Sequence, residues 1–297
     1  MRKNILVLII AVLVFSGLIY GKDKISQTAS DNTGEQIVIS LGQDLTAVQR
    51  DEVLNYFART INTQNTRIIT VSNQEERKYL EGKIDSKIIG TRAISSACVS
   101  LSDNAQGITI KTNNISWVSP FMYANALNTA GVNDARVLVT APFEVSGTAA
   151  LTGIIKAFES AAGTQLSEAA KETAHQEVAE TSKLGQKIGQ DKAGKIIYEV
   201  KRQVIEKNIS DPEEIRRIII QVSADLNVKI SAEDTKRIID LMQNLNSLNL
   251  NISKLNQQLD KLQKGFEDIK GDTEQARGII QKIIDFIKQL LQSLGIS

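Results

Sequence analysis

NNISWVSPFMYANALNTAGVNDARVLVTAPFEVSGTAALTGIIKAFE, residues 113–159, carries a helix, a strand and a second helix in succession, and the rest of the chain is placed around it. Ser119 can cap the first helix, with Pro120 at the first helical position, where a missing N–H costs nothing. Gly131 follows the last apolar residue, as a left-handed C-terminal residue does. Ala135 to Thr140 is a short β-branched run. Ser146-Gly147-Thr148 then opens a helix whose apolar positions Leu151, Ile154, Ile155, Phe158 and Ala162 follow helical spacing.

Upstream, β-like and helical stretches alternate. Ile37-Val38-Ile39 is a strand, and Thr46-x-x-Gln49 is a capping box opening a helix through Phe57. Arg67 to Val71 is the next strand, and Ser72-x-x-Glu75 caps a helix of NQEERKYLEG. Thr91–Leu101 and Gly107–Thr112 read as the two arms of a hairpin, the second alternating Ile108 and Ile110 with Thr109 and Lys111. About five short strands with interleaved helices predict a mixed α/β layer structure over 36–163.

Four segments carry a family likeness: IVISLGQDLT (37–46), TVSNQEERKYLEG (70–82), IGTRAISSACV (89–99) and the 113–153 stretch with its TAPFEVSGTAALTG. Together, in this order, they resemble the YpuA-like exported proteins of Gram-positive bacteria. The resemblance covers about half the chain closely and extends more loosely past Gly163. It implies export and a shared fold. It assigns no catalytic residue, because that family is itself a domain of unknown function.

Beyond Gly163 the pattern is helical. Ile197, Val200 and Val204 form one stripe; Asp211-Pro212-Glu213-Glu214 is a strong helix start ahead of Ile215, Ile218, Ile219, Val222 and Leu226. Ser231-x-x-Asp234 begins a further helix with Ile238, Leu241, Met242 and Leu245. Leu245, Leu248, Ile252, Leu255, Leu259, Leu262, Phe266 and Ile269 then alternate three and four apart, the seam of a coiled coil. Residues 164–245 are thus a helical region and 246–297 a coiled-coil-like hairpin, its last helix covering the seam. The alternative is a seam over 245–269 that binds an envelope protein or a second copy. The fold class is α+β, a mixed α/β domain followed by an all-helical region.

At the other end, Arg2 and Lys3 precede an apolar run from Ile5 to Tyr20. That is the pattern of an export signal, cleaved or retained as an anchor, over residues 1–21. Residues 22–35 read as a polar linker. Basic residues before the run place the chain outside the cytoplasm, secreted or tethered, with membrane contact only through residues 5–20.

Composition narrows function by exclusion. Of 297 residues 42% are apolar and 23% charged, with a net charge of +1, which gives no general attraction to nucleic acid. The single cysteine, Cys98, rules out an internal disulfide or a thiolate cage, and its apolar run reads as a buried, inert thiol. The single histidine, His175, lies in the polar KETAHQEVAE and reads as a surface residue; no Gly-x-Ser-x-Gly elbow exists for it to serve. Trp117 and Tyr123, beside a helix start, are core or rim packing more readily than a stacking platform. No EF-hand spacing appears, and no cofactor, metal or catalytic residue is assigned.

Two features remain as ligand-binding candidates. Ser146, Gly147 and Thr148 could offer backbone N–H groups to an anion, or simply cap the helix; they lack the lysine and glycine spacing of a P-loop. Arg92 could grip a carboxylate or phosphate, or pair internally with Glu75, Glu76 or Glu144. The expected function is an exported, envelope-facing, non-enzymatic interaction module. The alternative is a small-ligand-binding or cell-wall-active protein using Arg92 and the 146–148 turn.

Overall fold

The computed structural model describes residues 36–61, 66–101, 107–132 and 134–248. The signal or anchor at 1–21, the linker at 22–35 and nearly all of the coiled-coil seam and hairpin at 246–297 lie outside the described residues.

The strands are β1 (Gln36–Gly42), β2 (Arg67–Val71), β3 (Ser96–Leu101), β4 (Ile108–Ile115) and β5 (Ala135–Val145). The helices are α1 (Ala47–Ala58), α2 (Asn73–Leu80), α3 (Ser86–Ile89), α4 (Pro120–Ala130), α5 (Thr148–Ala162), α6 (Glu168–Ile188), α7 (Gln190–Glu206), α8 (Pro212–Asp225) and α9 (Ala232–Ser247). The fold is α+β, as expected.

The strands form one mixed sheet in the order β2-β1-β3-β5-β4. β1 and β2 run parallel with α1 between them in the chain, and β4 and β5 run parallel with α4 between them. These are the long crossovers that parallel pairing demands. β3 is antiparallel to both of its neighbours, β1 and β5.

That order overturns the expected hairpin of 91–101 with 107–112. β5 lies between β3 and β4, so the two arms never pair. The reason lies in their burial. Ser96 to Ser100 are buried on both faces, as in a central strand, whereas β4 alternates buried Ile108 and Ile110 with exposed Thr109 and Lys111, as at an edge.

Register sorts the apolar residues to two faces. Ile39, Cys98 and Leu138 are successive partners across β1, β3 and β5, and they pack with Val53 and Phe57 of α1. Val38, Val99, Val137 and Ile110 form the equivalent row on the other face, under α4 and α5. Gly153 lets α5 lie close to the sheet; a Cβ there would sit 2.7 Å from Ser40 Oγ.

The cluster beneath α4 and α5 takes in Ala174 and Val178 of α6 and Tyr198 and Ile205 of α7. The outer helices then make a second core. Ile196, Ile197, Val200, Ile215, Ile219, Ile238, Leu241 and Leu245 are all buried there, on the stripes that helical spacing predicts. Among the described residues, no helix is long and apolar enough to cross a membrane.

Candidate functional site

The site is built where β5 turns into α5. Gly147 is the N-cap of α5 at φ +93°, a conformation that favours glycine, and a Cβ there would lie 2.4 Å from Tyr123 Oη and 2.5 Å from Ile115 Cγ2. Tyr123 is fully buried and donates its hydroxyl to the Gly147 carbonyl at 2.5 Å, which locks the turn from behind.

Side-chain capping of α5 by its own Ser146–Thr148 turn does not occur. Gly147 has no side chain to offer, and the Ser146 and Thr148 hydroxyls bond each other at 3.0 Å. The cap oxygen comes from far away in the chain: Ser95 Oγ accepts from the Ala150 N–H at 2.9 Å. Two residues before Ser95, Ala93 donates its N–H to Asp44 at 2.7 Å.

A cavity of about 280 Å³ opens against this helix end. Its polar lining is Glu76, Arg92, Ser95, Ser146 and Thr148, and its apolar walls include Ile88, Ile89, Ile94, Phe143 and Val145. Three of the four residues singled out in the sequence therefore line one cavity, and the fourth, Gly147, forms the turn behind it.

Arg92 is exposed and makes no ion pair among the described residues, so the expected internal pairing is absent. Glu75 is taken by Lys156 instead, at 2.5 Å. The guanidinium that does turn inward is Arg77. It bonds Asn73 Oδ1 at 2.9 Å, Glu81 at 2.9 Å and the Gly90 carbonyl at 2.5 Å, and so fixes the loop that carries Arg92.

The residue that sequence reasoning missed is Glu76. It is fully buried on the inner face of α2. Its Oε2 accepts from Asn73 Nδ2 at 3.1 Å, but Oε1 has no hydrogen-bond partner of ordinary geometry. Burial pushes its carboxyl up to about 7, against the pull of nearby Thr148, Asn73 and Arg77 and with a small push from Asp44. One signal was present in the sequence: Tyr79 and Leu80, three and four residues on, are core positions, so Glu76 shares their face.

Other notable polar residues lie elsewhere. His175 is not at the surface but wholly buried, because α6 packs among α2, α4, α7 and α9, and Thr152 of α5 meets its ring. Its Nδ1 lies 2.7 Å from the Lys171 carbonyl and so carries the proton, leaving Nε2 to accept from Thr152 Oγ1 at 3.0 Å. Its ring stacks on Tyr79 at 4.4 Å, and burial lowers its pKa to about 4. Cys98 is buried, as expected. Among the described residues no group of three or more His, Cys, Asp or Glu side chains could hold a metal ion.

A family model described as "Protein of unknown function (DUF1002)" matches residues 41–262, which take in four of the five strands, the cavity and the helical core. The chain is 38% identical over 216 residues to the uncharacterized protein YpuA of Bacillus subtilis (strain 168), covering 72% of this chain and 73% of that one. No solved structure matches. On these grounds the chain belongs to the DUF1002 family, whose function is unknown.

Proposed function

We propose that this protein is an exported, envelope-facing binding module whose small-ligand site is the cavity at the N-terminus of α5. The observation that carries the reading is one cavity that gathers Arg92, exposed and without an ion pair among the described residues, with Ser95, Ser146 and Thr148 at the start of α5. The volume is just under the range of about 300–1,000 Å³ usual for small-molecule sites, which suits a compact ligand. The export part of the proposal rests on Arg2, Lys3 and the apolar run from Ile5 to Tyr20.

The test is a thermal-shift panel on the purified chain, using cell-wall fragments, anionic metabolites and divalent ions. A ligand at about 100 times its dissociation constant adds roughly 2.7 kcal/mol to the folded state. One ligand class should raise the melting temperature, and Arg92→Ala should abolish that shift without altering the unliganded melt, since Arg92 is exposed and makes no ion pair among the described residues. A flat response to every class would overturn the proposal.

A further inference from the structure

We infer that the end of the sheet where β1 begins docks on an anionic lipid surface through Arg59, Arg67 and Arg136. None of the three lines the cavity, so this is a second surface, independent of the ligand-binding reading. It extends the expected membrane contact beyond residues 5–20.

The strand directions bring these residues together. β3 is antiparallel to β1 and β5, while β2 runs with β1 and β4 with β5, so four strands start at one end of the sheet. Arg67 is the first residue of β2 and Arg136 the second of β5. α1 returns the chain to the same end, and Arg59 is its C-cap. Arg136 donates to the Thr60 carbonyl at 3.4 Å, which sets it beside the end of α1. Lys111 adds a fourth cation on the face that Arg136 occupies, because Thr109 and Lys111 of β4 pair with Arg136 and Leu138 of β5. All four are exposed and make no ion pair among the described residues. Elsewhere Arg77, Arg202, Arg216, Arg217 and Arg237 each hold a carboxylate. Of the five described arginines that hold none, three stand at this end, the others being Arg50 and Arg92.

Little at this end opposes that charge. Asp134 accepts from the Gly107 N–H at 2.6 Å, and Glu159, near the end of α5, is buried against Lys171 at 3.0 Å. α1, α4 and α5 also finish here, each with roughly −0.5 of a charge at its C-terminus, and Arg67 donates to Ser160 of α5 at 3.0 Å. These offset only part of four full charges, and the end stays positive. The occupant follows from where the chain enters the fold. The described residues begin at Gln36, the first position of β1 and so at this end. The apolar run ends at Tyr20, and residues 21–35 can span at most about 50 Å. A bilayer holding that run therefore lies within about 50 Å of the basic end. Ile68, 43% exposed on the β2 edge, offers an apolar side chain to the headgroup layer. Each basic residue at an anionic surface is worth about fivefold in partitioning.

The test is arginine footprinting of the full chain, with phenylglyoxal and mass spectrometry, in nanodiscs of mixed phosphatidylglycerol and phosphatidylcholine and in discs of phosphatidylcholine alone. Modification of Arg59, Arg67 and Arg136 should slow about fivefold or more on the anionic discs. It should recover in 1 M salt, where the screening length is about 3 Å. Arg50 is the internal reference: it is exposed, holds no carboxylate among the described residues and lies in the first turn of α1, away from this end. It should react alike on both discs. Equal modification of the three arginines on both disc types would overturn the inference, as would an equally large slowing of Arg50. Soluble polyphosphate added to the phosphatidylcholine discs separates the remaining case. Protection by it that matches the anionic discs would make the partner a soluble polyanion and overturn the lipid assignment. The wild-type chain decides every outcome, so none depends on a variant that folds.

Discussion

Glu76 and His175 are both fully buried, and their proton affinities are displaced in opposite senses. The Glu76 carboxyl rises from 4.5 to about 7, so between those values the folded chain holds a proton that the unfolded chain has released. Stability therefore falls as pH rises through that window, by about 3 kcal/mol in all. His175 drops from 6.5 to about 4, so between those values the unfolded chain holds a proton that the folded chain refuses. Stability there rises with pH by a similar amount, about 3 kcal/mol. The two slopes cancel between pH 4.5 and 6.5. Urea denaturation across pH should show little change from this pair in the wild-type chain, and Glu76→Gln should uncover a clear rise in stability from pH 4 to 6.5. A variant whose stability stays as flat as the wild type would show that both groups are solvated. Each burial had only a faint sequence signal: Glu76 shares a helix face with Tyr79 and Leu80, and His175 with Val178 and Ala179, inside otherwise polar stretches. A helix packed among several others buries its polar residues by position, whatever their type.

Among elements, the least predictable join was the one that seats α6 and α7 on α4. Lys201 of α7 is fully buried, and its Nζ donates to the Asn125 carbonyl at 2.9 Å, Thr129 Oγ1 at 3.0 Å and Glu177 Oε1 at 2.9 Å. Thr129 in turn donates to Glu177 Oε2 at 2.5 Å, so the ion pair is held by hydrogen bonds from both sides. Removing one member strands a buried charge, and Lys201→Met should cost about 3–5 kcal/mol in chemical denaturation. Replacing Glu177 by Leu in the same chain should recover much of that loss, since an apolar pair leaves no orphaned charge. A single variant within 1 kcal/mol of wild type would mean that water reaches the pair. Local signals, by contrast, predicted the element ends well. Thr46 and Ser72 form the capping boxes their spacing announces, Ser119 and Asp211 cap before prolines, and Ser231 caps α9. Each depends on residues within four positions. The strand order depends on which edges meet across the sheet, and there the expected hairpin failed.

For the molecule as a whole, the cavity is assembled from four separate stretches of chain: α2, the end of α3 with the loop after it, the end of β5 and the start of α5. Sequence could mark Arg92 and Ser146–Thr148 one at a time, as an arginine among small residues and a glycine turn before a helix. It could not show that they share one cavity, since β3 and β5 bring them together across the sheet. Nor could it single out Glu76, which differs from Glu75 by one position and by nearly all of its exposure to water. The packing of α2 turns on that carboxyl being enclosed and only partly satisfied. A ¹³C NMR titration of the Glu76 side-chain carboxyl in the unliganded chain tests this most directly. A midpoint near 7 is predicted. A midpoint at the ordinary value of 4.5 would mean that solvent reaches the group freely, which would contradict the packing of α2 described here.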